Sequence, residues 1–166
     1  MSLSNLQVNG LYVILFLRTS PHTPNNFHWG LYLHGDATQG GTKYHIKQQG
    51  SGWIADHGKT AGVFKSFLLV GLFQIATIPT GWKGHADQQF RTYDSSLNSS
   101  PNITCRVWLL WVLALLQKEV NGYKLLKCAD LSALEAEIIA WGNENAASAD
   151  LNLQPRPVAV SKYIQG

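Results

Sequence analysis

A histidine on a strand and a cysteine opening a helix are the two parts a thiol nucleophile needs, and this chain carries both. Phe27-His28-Trp29-Gly30-Leu31-Tyr32-Leu33 alternates in the manner of a strand. Asn102-Ile103-Thr104-Cys105-Arg106-Val107-Trp108 opens an apolar helix with the cysteine in its first turn. Unpaired N–H groups and the helix dipole favour a thiolate there. A neighbouring imidazole favours it further and returns a proton to the leaving group. The chemistry implied is hydrolysis or acyl transfer on an amide, ester or thioester, through a Cys105 acyl-enzyme. First-turn N–H groups are also placed to bind an oxyanion.

Strand parity adds a third residue. Phe27, Trp29, Leu31 and Leu33 share one face and form a good core surface; His28, Gly30, Tyr32 and His34 share the other. The Gly35–Gly41 turn signal predicts a hairpin with Thr42 to Gln48 as its return strand. If Gly35 pairs with Gly40, His45 falls opposite Gly30, diagonal to His28 on the same face. His45 then fixes the His28 tautomer, with His34 as the alternative partner. His28 and His45 are the candidate catalytic histidines, and Trp29, Tyr32 and Trp82 the candidate substrate-binding residues. Trp82 is singled out because it sits in a Gly-rich loop, Thr80 to His85, able to rim a pocket.

These side chains need a frame. Leu11 to Arg18 reads as a buried strand ending at the turn Pro21 to Asn26. Trp53 to Asp56 reads as a short strand. Phe64 to Ile78 reads as two buried strands divided at Gly71, with a helix as the competing assignment. Pro79 to Pro101 is loop-like. Thr104 caps a helix from Cys105 to about Val120, and Ser132 with Glu135 forms a capping-box pattern for a second helix to about Asn143. Residues 151–166 read as an edge strand or a loose tail. The fold class expected is α+β, an antiparallel β-sheet packed against the Cys-bearing α-helix and a second helix, as a single domain over 1–166.

Three segments together, His28 to Leu33, Tyr44-His45-Ile46 and Thr104 to Trp108, resemble the lecithin:retinol acyltransferase-like group of the circularly permuted NlpC/papain-like superfamily. Members carry a His-Trp-small-aliphatic-Tyr-aliphatic strand, a second histidine on the next strand, and a later cysteine that starts a helix. The order His, His, Cys is the permuted one. The resemblance implies a permuted papain-like fold with Cys105 as nucleophile, His28 as general base and acid, and His45 as the orienting residue. The chain departs from the group in Thr104, where Asn commonly precedes the cysteine, and in Arg106 and Val107, where an acidic residue and a histidine commonly follow. It lacks the apolar membrane-anchoring tail of several lipid-acting relatives. A small-molecule, peptide or acyl substrate is expected, without stable membrane anchoring.

Composition narrows the classes. The chain has 166 residues, is 45% apolar and has a net charge of +3 from 13 basic and 10 acidic residues, the basic ones scattered rather than clustered. That pattern argues against nucleic acid as partner. Absent His-Glu-x-x-His or paired-Cys spacing, no metal and no cofactor are expected. Two cysteines and no recognisable leader point to a cytoplasmic protein with reduced thiols. Cys128, His22, His57 and His85 read as structural or surface residues. The competing function is a non-catalytic binding or interaction module of the same fold, with Pro79 to Pro101 as its recognition surface.

Overall fold

The eight residues from Gly10 to Leu17 have no polar face, and the strand they form, β1, is buried along its whole length. In the computed structural model, which describes residues 2–164, β1 lies inside a sheet. Around it run β2 (Phe27–Asp36), β3 (Gly40–Tyr44), β4 (Ile46–Gln49), β5 (Gly52–Ala55), β6 (Gly58–Thr60), β7 (Leu69–Thr77) and β8 (Val158–Val160). The helices are α1 (Lys83–Phe90), α2 (Cys105–Leu116) and α3 (Leu131–Asp150). The main sheet has the order β6-β3-β2-β1-β7-β8, and β4 pairs with β5 in a second, two-stranded sheet. All pairings are antiparallel except β7 with β8. The fold is α+β.

Parity divides the core. One cluster joins Val13, Leu15, Phe27, Trp29 and Leu31 to α2 and α3 through Leu109, Val112 and Ile138. The other face holds a smaller cluster, Tyr12, Ile14, Phe16, Tyr32, Val63 and Leu72. Both long helices therefore cover the same side of the sheet. Among the described residues, the other side is covered by short segments around Leu3, Leu6, Val63 and Phe64.

Several expectations need correction. The return strand is interrupted at His45, giving β3 and β4. Gly71 does not divide a strand; β7 runs through it, and the glycine makes room for close packing, since a Cβ there would sit 2.4 Å from the Pro157 carbonyl oxygen and 2.9 Å from the Trp141 ring. Pro79 to Pro101 is not all loop but contains α1, which buries only Ala86 and Phe90 and so has almost no apolar stripe. Thr104 caps α2 as expected, accepting from the Val107 N–H at 3.1 Å, but the helix ends at Leu116. Asp130, not Ser132, caps α3, and Glu135 instead pairs with Arg106 across the α2–α3 interface. The 151–166 segment supplies β8 at the sheet edge.

Candidate functional site

The β2–β3 hairpin sets the geometry of the histidines. Leu31 pairs with Tyr44, Tyr32 with Lys43 and Leu33 with Thr42, and the extra residue of the turn is absorbed by a bulge at Gly35. Continuing that register puts His45 opposite Gly30. Gly30 has no side chain there, and a Cβ on it would come within 3.3 Å of the His45 Cβ. The chain bends at His45, and its ring meets the ring of His28 edge-on at 5.1 Å between centroids.

A hydrogen-bonded chain follows. His45 Nε2 lies 3.0 Å from Asp56 Oδ2, and His45 Nδ1 lies 2.9 Å from His28 Nε2. An ionised carboxylate only accepts, so His45 donates Nε2–H to Asp56 and accepts the His28 Nε2–H at Nδ1. That leaves the His28 Nδ1 lone pair as the basic end. Burial, with Lys43 and Arg18 nearby, lowers the His28 pKa to about 4. Burial, Lys43 and His28 lower that of His45 to about 4 against the opposing pull of Asp56. Burial pulls Asp56 upward, but His45 and Lys47 outweigh it and hold the carboxyl below its usual range. At neutral pH the unit is two neutral imidazoles and one carboxylate. Lys43 is half-buried beside it, its ammonium 4.6 Å over the Phe16 ring, and among the described residues no carboxylate pairs with it.

Cys105 does not join this unit. Its side chain is 2% exposed and belongs to the core cluster under α2, with Trp108 and Leu109. His28 packs on Phe16, 5.8 Å between centroids, in the cluster on the opposite face. Phe27 and Trp29, the chain neighbours of His28, are the residues that face the helices. Among the described residues no hydrogen bond links the Cys105 sulfur to a histidine. The structure thus brings His28 and His45 together and sets Cys105 on the far side of the strand. Cys128 is also buried, its thiol donating to the Asp130 carbonyl at 3.4 Å and pushed up in pKa by burial.

The remaining expected residues also find places. Trp29 is 2% exposed and Tyr32 fully enclosed, on opposite faces of β2, each in one of the two core clusters. His34 is hydrogen-bonded to the Tyr32 hydroxyl at 2.9 Å and is not the partner of His28. Trp82 stacks on Tyr123 at 5.2 Å and meets His85 edge-on. His57, read from sequence as a surface residue, is enclosed. It accepts the His45 backbone N–H at Nδ1 (3.2 Å), donates Nε2–H to Asp94 (3.0 Å) and stacks on Trp108. Asp56, His57 and Asp94 are the residues that sequence reasoning missed. The available signal was Asp56-His57 directly after a short strand, within pairing distance of Tyr44-His45. Among the described residues no group of three or more His, Cys, Asp or Glu side chains is placed to hold a metal ion. Among the described residues no helix is long and apolar enough to cross a membrane.

No protein-family model, no curated protein and no solved structure matches the chain.

Proposed function

We propose that this protein is a non-catalytic binding module, and that its binding surface is the sheet face bearing His28, His45 and Lys43. One observation carries this reading: Cys105 and His28 lie on opposite sides of β2, with the thiol enclosed in the core. The ligand chemistry it fits is an anionic group, a carboxylate or phosphate, on a small molecule or peptide. Lys43 acts on both neutral imidazoles and Arg18 on His28, while Lys47 shares the Asp56 carboxylate with His45. Inorganic phosphate is the simplest probe. In an NMR titration, phosphate raises the His28 pKa above its free value near 4, because a bound anion favours the imidazolium. Unchanged His28 titration at saturating phosphate, with shifts confined elsewhere, overturns the assignment of this face.

A second reading keeps the thiol chemistry that the resemblance to the permuted papain-like group implies. The Asp56–His45–His28 chain favours it, because it orients His28 with a free Nδ1 in the manner that a cysteine partner requires. The two readings part on labelling. With the thiol enclosed, iodoacetamide modifies Cys105 and Cys128 of the folded protein slowly and at similar rates. Fast, selective labelling of Cys105 near neutral pH, lost in Cys105→Ala, restores the enzyme. A cytoplasmic location belongs with either reading, supported by two free cysteines.

A further inference from the structure

The C-terminal edge of the sheet is built with more care than a trailing segment needs. β8 is only three residues long, yet both of its ends are clamped. Before it, Arg156 is 3% exposed and its guanidinium donates to the carbonyls of Leu69, Val70, Leu153 and Asn145. After it, Glu137 of α3 accepts from the Ser161 hydroxyl at 2.6 Å and the Lys162 N–H at 2.9 Å. Between the clamps the ladder has a defined phase. Leu72 N–H donates to the Pro157 carbonyl and Ser161 N–H to the Gln74 carbonyl, so Pro157, Ala159 and Ser161 face β7. Val158 and Val160 turn their peptide groups outward, and Val160 is 57% exposed.

A cleft opens on each side of that edge, and the two differ in chemistry. On the α3 side, a cleft of about 680 Å³ is lined mainly by Phe73, Trp141, Tyr163 and alanines, with Glu144 and Lys162 also in its wall. The other, of about 530 Å³, is mixed, with Leu125 and Ile164 beside Gln7, Thr77, Tyr123 and Lys127. Lys127 lies 5.8 Å from the centroid of the Tyr123 ring, and among the described residues no carboxylate pairs with it. Successive side chains of an added strand point alternately to these two clefts.

We propose that β8 is a docking edge for an extended peptide whose residues alternate between bulky apolar and acidic. The peptide bonds to the outward groups of Val158 and Val160. Its apolar side chains enter the α3 cleft, and its acidic ones meet Lys127 and the Gln7 amide N–H. This inference is independent of the histidine face.

The test is fluorescence polarisation on the full chain with a labelled peptide alternating Asp with Leu and Phe. Three competitors accompany it: the same peptide with Lys for Asp, a scrambled one, and one N-methylated on its bonding edge. The alternating acidic peptide binds saturably, and the other three bind at least about tenfold more weakly. Val160→Pro removes an outward N–H while sparing the β7 ladder, and it weakens binding to a similar degree. Lys127→Glu keeps the edge and inverts the preference from the Asp to the Lys peptide. No saturable binding, equal binding of the N-methylated peptide, or wild-type affinity in both folded variants overturns the proposal. So does concentration-dependent dimerisation abolished by Val160→Pro, which would assign the edge to a second copy.

Discussion

Arg156→Ala lowers stability by about 3–5 kcal/mol, a fall of roughly 10 °C in the melting temperature of a chain this size. The substitution strips donors from four carbonyls at once, those of Leu69 and Val70 in buried hydrogen bonds and those of Asn145 and Leu153 in part-buried ones. Each orphaned carbonyl costs about 1–3 kcal/mol. Recovering the desolvation of the guanidinium offsets part of that cost; burial already lowers the Arg156 pKa. Arg156→Lys retains a charge but not the fork that reaches several acceptors, so it falls between the two. Differential scanning calorimetry decides the matter, and a melting temperature for Arg156→Ala within about 2 °C of wild type refutes it.

Stability also declines on the acid side, in a window set by the histidines. His28 and His45 titrate near 4 in the folded chain, against an ordinary value of 6.5. The unfolded chain therefore binds protons at a pH where the folded chain refuses them. The stabilising contribution is complete above about pH 6.5 and is lost as pH falls to about 4, with an upper bound on the order of 3 kcal/mol for each imidazole before solvent screening. His34, lowered by burial, adds to the same slope. The carboxylates Asp36, Asp56, Asp87 and Asp150 have lowered values, so their contributions fall away only below that window. Urea melts at pH 7, 5.5 and 4 measure the slope. The double variant His28→Gln/His45→Gln flattens it between pH 6.5 and 4 and leaves the steeper acid limb intact; an unchanged slope in that variant excludes the pair as its source.

Much of the sheet was legible in the chain. The alternation of Phe27 to Leu33 fixed which residues share a face, and the Gly-rich turn fixed the register that brings His45 to His28. The bend at His45 was not legible, because Tyr44-His45-Ile46 holds no glycine or proline to mark a break in the strand. α1 was hidden by its composition: Gly84, Gln88 and Gln89 on a short helix mask a footing of two residues, Ala86 and Phe90. α3 runs on to Asp150 through an alanine-rich stretch whose small side chains allow close packing, as where Gly142 lies against Leu15 and Phe27. The site was legible in part. Parity shows which residues face together but not which face a helix covers. Even so, a warning was present. The helix carrying Cys105 is apolar, and an apolar helix packs on the apolar face, which is that of Phe27, Trp29 and Leu31 rather than that of His28.

The parallel pairing of β7 with β8 also orders events during synthesis. Residues 69–77 emerge well before 158–160, and α3 stands between them in the chain. Until the last strand arrives, the nascent sheet ends in β7, a nine-residue strand buried at eight of its positions in the finished fold. Such an edge invites pairing with neighbouring nascent chains. Arg156 and Glu137 then act as latches that hold a guard strand over that edge once residues 158–160 have been made.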